Sequence, residues 1–172
     1  MTVTQRVFAA SDRLPAKRLM QLVSAASYGC VLVLAALSVI GVSEVASGHS
    51  SELVAGVGVA TWIAHLFAEL LAAHLELHEP LHRSEVKRAA VDGSPILIVP
   101  ILPALALGLG RLDVISDESA RIAAILITVL QLFVIGAFVG RAAPSRKPGW
   151  GFGLATAGMG LVVVMLKVFL GH

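Results

Sequence analysis

The chain has little charge, few aromatic residues and one cysteine. Charged residues make up 14% of the 172 residues, whereas soluble domains carry about 25%. This excludes an ordinary water-soluble globule and a charge-rich disordered chain. Cys30 is the single cysteine, so an intrachain disulfide and a multi-cysteine metal site are ruled out. One Tyr and two Trp are too few for the aromatic girdles of a membrane barrel. A net charge of +2 gives no signal for nucleic-acid binding.

Hydrophobic residues make up 57% of the chain and gather in five long runs. A membrane-spanning helix needs about 20 mostly apolar residues. The sequence therefore predicts an all-α integral membrane protein: one transmembrane domain, residues 1–172, built as a bundle of five helices. The predicted spans are approximately 19–42, 53–78, 95–110, 122–140 and 150–170.

Lys and Arg residues are distributed unevenly between the loops. Ten of the thirteen lie before the first run, between the second and third runs, or between the fourth and fifth. Because cytoplasmic loops carry an excess of Lys and Arg, this distribution predicts a cytoplasmic N-terminus and a C-terminus outside. The expected location is a bacterial-type inner membrane or a plasma membrane.

The third run is short and contains Pro95, Pro100 and Pro103. Each proline lacks a backbone donor and frees the carbonyl four residues earlier. A carbonyl freed inside a membrane needs water, a side chain or an ion as its partner. The three prolines predict a kinked helix, which is either a hinge or pore-lining element or a bent packing helix.

The second half of the second run carries ionisable residues. At about 100° per residue, His65, Glu69 and Glu76 share one helix face. His65 and Glu69 are four residues apart and can reach each other, and such a pair would change charge near neutral pH. Ionisable groups inside membranes are costly and usually functional. This face is the candidate ion pathway or proton relay; the alternative is a structural bond to a neighbouring helix.

Further ionisable residues follow towards the next loop. Three histidines recur there every four residues, a spacing at which two imidazoles can bind one metal ion on a helix. Pro80 interrupts that helical spacing. The set is a candidate divalent-metal site and equally a candidate cytoplasmic pH sensor. Its members are His74, His78, His82, Glu79 and Glu85.

Small residues mark the faces where helices can approach closely. Gly136 and Gly140 form a GxxxG pattern in the fourth run, and Gly149 and Gly153 form another at the start of the fifth. These patterns predict close packing, within the bundle or between copies of the chain. Gln131, in the fourth run, is a candidate for an interhelical hydrogen bond.

Size and polarity together favour a transport protein. Five short helices barely enclose a pathway, whereas several copies can ring one. The leading hypothesis is a homo-oligomeric, pH-sensitive cation or proton channel that uses the face of His65 and Glu69. Its expected partners are the lipid bilayer and small cations, not nucleic acid. The alternatives are a divalent-metal carrier that uses the same residues and an accessory membrane subunit. An enzyme is not expected, because no recognisable catalytic motif is present.

Overall fold

A computed structural model describes residues 3–77, 82–142 and 149–170. Every regular element within these ranges is a helix, which confirms the predicted all-α class. In chain order the helices are α1 (Val3–Leu37), α2 (Val42–Ala46), α3 (His49–Leu77), α4 (Arg83–Asp92), α5 (Pro95–Ile98), α6 (Ile101–Arg111), α7 (Asp117–Ala142) and α8 (Gly149–Leu170).

Four of these helices are long and apolar enough to cross a membrane. A fifth unit of this kind consists of α4 and the Pro95–Arg111 segment, which contains α5 and α6 and is bent by 41° relative to α4. Lengths and compositions of this kind are typical of a helical integral membrane protein. The four long apolar segments are Arg18–Leu37, His49–Leu75, Asp117–Arg141 and Gly149–Leu166.

Apolar side chains of α1 form the centre of the bundle. Val33, Leu34 and Leu37 are at most 1% exposed and belong to one core cluster with Val54 of α3 and Leu107 of α6. Many large apolar side chains on the outer faces are exposed instead. Such a surface is unfavourable in water but not among lipid tails, which are as apolar as leucine. Examples are Phe67, Leu105, Leu126, Leu130, Met159 and Met165.

The connection between α1 and α3 differs from the predicted span over 19–42. α1 ends at Leu37, and the short helix α2 follows after a turn. The Gly41 N–H donates to the Glu44 carboxylate at 3.1 Å, which caps α2. Gly48 then turns the chain into α3 with a φ of +79°. Only glycine adopts this backbone conformation without strain.

The three prolines occupy different positions in the bent unit. Pro95 begins α5, where a missing N–H costs nothing. Pro100 precedes α6 and packs against α3 at Gly58, where an added Cβ would lie 2.5 Å from the proline Cγ. Pro103 lies in the first turn of α6 and is buried. The predicted kink is therefore an interruption between α5 and α6, together with the 41° bend after α4.

The glycine patterns of α7 and α8 face each other. A Cβ added to Gly136 would lie 3.0 Å from the Cα of Gly153, and one added to Gly140 would lie 2.9 Å from the Cα of Gly149. The first distance is tighter than most real Cβ contacts and the second is too short for one, so glycine is what permits this close packing. Because the two patterns pack against each other within one chain, they are not free to form a seam between copies.

Candidate functional site

Two clefts follow one another along the interface between α1 and α3. The first, called here the flank cleft, has a volume of about 330 Å³, and its polar lining comprises Ser24, Tyr28, Thr61 and His65. The second, called the charged cleft, has a volume of about 300 Å³. Its polar lining comprises Gln21, Glu69, Glu85, Arg88 and Asp92.

Beside the flank cleft, α3 packs against the end of α4. The His65 ring lies over Gly93, where an added Cβ would be 2.9 Å from the imidazole Cδ2. Trp62, one turn earlier, donates its Nε1–H to the Ala90 carbonyl at 3.2 Å. The cleft between these contacts and α1 is lined by three alanines in addition to its polar groups. Small side chains therefore leave space beside a half-buried imidazole.

The charged cleft is organised around Asp92, which is 8% exposed. Arg18 of α1 donates from Nε to one carboxylate oxygen at 3.0 Å, and the Nε of Arg88 lies 3.6 Å from the other. A buried carboxylate without such partners would be strongly destabilising. The two guanidinium groups compensate for the negative charge of Asp92. The ion pair between Arg18 and Asp92 also links α1 to α4.

Glu69 and Glu85 line the same cleft and are half-buried. Among the residues whose side chains are described, neither has a Lys or Arg nitrogen within 4.0 Å. One Glu85 oxygen accepts the N–H of His82 at 2.9 Å and so caps the start of α4. The cleft therefore contains more carboxylate than guanidinium charge.

The predicted face of α3 divides between the two clefts. His65 lines the flank cleft and Glu69 lines the charged cleft. In the described part of the chain, no hydrogen bond or ion pair joins them, although their spacing would allow one. Glu69 shares the charged cleft with Arg88 and Asp92 of α4. Glu76 follows on α3, but its side chain is outside the described residues.

The predicted metal or pH-sensor set is only partly described. His74 lies exposed on α3, and His82 lies exposed immediately before α4. His78 and Glu79 fall outside the described residues. Among the residues that are described, no group of three or more His, Cys, Asp or Glu side chains is arranged to hold a metal ion. The metal site therefore stays a prediction.

Side chains of neighbouring helices donate hydrogen bonds to the carbonyls that lack a helical donor in the bent unit. Pro103 cannot donate to the Val99 carbonyl, and Gln131 of α7 supplies a donor, with its Nε2 at 3.2 Å. At the earlier break, the Ala90 carbonyl receives the Trp62 indole N–H. The sequence predicts that such carbonyls need partners, and in the structure these two have side-chain partners.

Sequence reasoning missed Arg18, Gln21, Tyr28 and Asp92 as site residues. Arg88 and Asp92 are four residues apart on α4, so their spacing could have predicted a pair. The bridge between Arg18 and Asp92 joins residues 74 positions apart. No local pattern contains that information.

The balance of exposed charges differs between the two ends of the bundle. At the end that bears Arg18, the described basic side chains are exposed, whereas the described carboxylates are half-buried or buried. At the opposite end, most carboxylates are exposed and outnumber the exposed basic side chain described there, Arg111, which lies 3.7 Å from Glu52. The exposed basic residues of the first end are Arg18, Arg83, Lys87, Arg88 and Arg141; the exposed carboxylates of the other end are Glu44, Glu52, Asp113 and Glu118.

Comparison with known protein families, with curated proteins and with solved structures gives no match.

Proposed function

We propose that the chain is a membrane protein with five crossings and that the end bearing Arg18 faces the cytoplasm. Within the bent unit, the Pro95–Arg111 segment provides the third crossing, and α4 precedes it. The charge difference between the two ends supports this orientation, because segments rich in Lys and Arg are retained on the cytoplasmic side. The proposed location is a plasma membrane or a bacterial inner membrane.

The flank cleft is the observation that carries the functional proposal. The hydroxyl groups of Ser24, Tyr28 and Thr61 and the His65 imidazole line an open cleft between two helices whose outer faces are largely apolar. Polar groups that face lipid tails are unfavourable unless protein or water covers them. A second copy packed against α1 and α3 would provide that cover and enclose the cleft as a passage with mostly apolar walls and four polar side chains.

The proposed activity is the movement of protons or small cations through this passage in a homo-oligomer. The charged cleft follows it along α3, and its three carboxylates attract cations to the cytoplasmic mouth. His65 is the imidazole of the flank cleft, with Tyr28 as the other titratable group in its lining. Because an imidazole can take up and release a proton, we propose that His65 makes transport sensitive to pH.

Flux from vesicles that contain the purified protein tests this proposal. Proton, potassium and sodium fluxes would be measured at pH 5 and pH 8 for the wild type, His65→Ala and Glu69→Gln. We expect His65→Ala to remove the pH dependence and Glu69→Gln to lower cation flux about tenfold, the equivalent of about 1.4 kcal/mol of lost attraction. His49→Ala is the control, because His49 is exposed on the same helix outside both linings. Absence of flux from folded, inserted wild-type protein would refute the proposal.

Disulfide cross-linking tests the proposed cover of the flank cleft. Ala64 is an exposed residue of that cleft, and Leu126 is 61% exposed on α7. In a Cys30→Ala background, Ala64→Cys should form cross-linked dimers in membranes, whereas Leu126→Cys should not. Equal cross-linking at both positions would indicate random collision and would contradict a specific interface on α1 and α3.

A divalent-metal carrier is the second candidate. Glu69, Glu85 and Asp92 bring carboxylate oxygens to one cleft, and hard divalent cations prefer oxygen ligands. It ranks second because the described side chains form no metal-binding group. Equilibrium binding of zinc and manganese to the metal-free protein separates the two candidates. Saturable binding that Glu69→Gln abolishes would favour the carrier. The accessory-subunit hypothesis instead predicts a stable protein partner in mild detergent extracts.

A further inference from the structure

The α4 helix has two faces of opposite character. Glu85, Ala89 and Asp92 lie within about 60° of one another around the helix and line the charged cleft. The outward face, called here the basic face, comprises Arg83, Val86, Lys87 and Val91, all of which are exposed. These four fall within about 140° on the opposite side. The helix therefore turns its carboxylates into the bundle and presents two cations and two valines to its surroundings.

The position of α4 brings the basic face to the membrane boundary. The apolar segment Pro95–Arg111 begins three residues after α4 ends, and the two are bent by 41°. Ten helical residues span about 15 Å. Because α4 is tilted by 41° from the span, this length corresponds to about 11 Å measured along the membrane normal. α4 therefore extends about 11 Å beyond the end of a span that follows the normal. The headgroup layer is about 5–8 Å thick, so the half of α4 that carries Lys87 and Val91 falls within it. Arg83 then lies within about one Debye length of the lipid phosphates.

We propose that the basic face of α4 binds the headgroups of anionic phospholipids. Arg83 and Lys87 complement the negative charge of the phosphates, a contact worth about a fivefold change in affinity for each basic residue. Val86 and Val91 are 37% and 43% exposed and lie beside these cations, where they contact the boundary between headgroups and acyl chains. Exposed Ile98 of α5 extends the apolar surface towards the membrane interior. This inference requires insertion in a membrane but does not depend on ion conduction.

Quenching by spin-labelled lipids tests the proposal on the full chain. Ser84 is exposed beside Arg83, so a fluorophore on Ser84→Cys in a Cys30→Ala background reports on the basic face. The protein would be reconstituted in phosphatidylcholine vesicles with spin-labelled phosphatidylglycerol or spin-labelled phosphatidylcholine. We expect preferential quenching by phosphatidylglycerol. The relative association constant should fall about fivefold in Lys87→Gln, with a further fall when Arg83→Gln is added.

Two control variants distinguish a site on α4 from a general attraction between charges. Lys87→Arg retains the charge and should retain the preference for phosphatidylglycerol. Arg141→Gln removes an exposed cation of the same end but of another helix, and it should leave quenching on α4 unchanged. The purified variants would first be compared with the wild type for helix content and monodispersity.

Three results would overturn the proposal. The first is equal quenching by the two lipids in the wild type. The second is an equal effect of Lys87→Gln and Arg141→Gln, which would leave no specific site on α4. The third is a signal that follows protein density but not lipid charge, since this would assign the basic face to contact with a second copy. The ion-flux experiment has a separate readout, so either proposal can fail while the other stands.

Discussion

Replacing Gln131 with leucine removes the side-chain donor that serves the Val99 carbonyl at 3.2 Å. Interhelical hydrogen bonds in membranes contribute about 0.6 kcal/mol on average and up to about 1.7 kcal/mol. The Val99 carbonyl belongs at the upper part of this range, because Pro103 leaves it without the usual helical donor. One term opposes the loss: Gln131 Oε1 is buried without a partner, and leucine removes it. We expect Gln131→Leu to lower the free energy of unfolding by about 1 kcal/mol.

Pro103→Ala provides the test of this explanation. Ala104 donates to the Pro100 carbonyl at 2.9 Å, so the helical ladder is already in register one residue later. An N–H at position 103 would therefore point to the Val99 carbonyl. In a Pro103→Ala background, Gln131→Leu should lower the free energy of unfolding by no more than about 0.3 kcal/mol, compared with about 1 kcal/mol in the wild type. The difference of about 0.7 kcal/mol is the coupling energy between the two positions.

The measurement is unfolding in mixed micelles by titration with sodium dodecyl sulfate, followed by far-ultraviolet circular dichroism. Thr128→Val is the matched control, because the Thr128 hydroxyl donates to Ala124 within its own helix at 2.8 Å. Its effect should be additive with Pro103→Ala. If Gln131→Leu has the same cost in both backgrounds, the link between the proline and the glutamine is wrong.

Two further predictions concern helix packing. Gly153→Ala should destabilise the protein by about 1–3 kcal/mol, because its Cβ would lie 2.7 Å from the Phe133 carbonyl oxygen. Gly151→Ala is its control on the same helix, because its Cβ meets nothing within 4 Å; thermal unfolding in detergent should show no loss. Trp62→Phe removes the N–H that the Ala90 carbonyl accepts and should cost about 1 kcal/mol in micelle unfolding. A midpoint equal to that of the wild type would contradict a stabilising bond between Trp62 and the Ala90 carbonyl.

The helical class of the fold was predictable because it depends on the length of apolar runs. Each of the five predicted runs contains or overlaps a long helix or the bent unit. The bounds differ where polar residues continue a helix, as at Asp117, which begins α7. A carboxylate in the first turn favours a helix start, but a hydropathy pattern gives it no weight. The turn after Leu37 also interrupts a continuous apolar run, so hydropathy alone does not predict it.

The candidate site was less predictable, because its contacts join distant parts of the chain. The sequence indicates that His65 and Glu69 share a helix face, but it cannot tell which neighbour faces each of them. It also does not predict that Arg18 meets Asp92, because the two are 74 residues apart. The need of the Val99 carbonyl for a partner follows from Pro103. The choice of Gln131 as that partner depends on how α7 packs.

The hydrogen bond between Gln131 and Val99 also has a consequence for biosynthesis. The acceptor precedes the donor by 32 residues, and ribosomes add about 5–20 residues per second. The Val99 carbonyl therefore leaves the ribosome roughly 2–6 s before Gln131 does. During that interval the nascent proline segment needs water or the insertion machinery to cover this oxygen. Under the proposed topology, the kinked segment completes this hydrogen bond only after α7 has been inserted, so a variant that delays α7 should expose the earlier segment to cellular quality control.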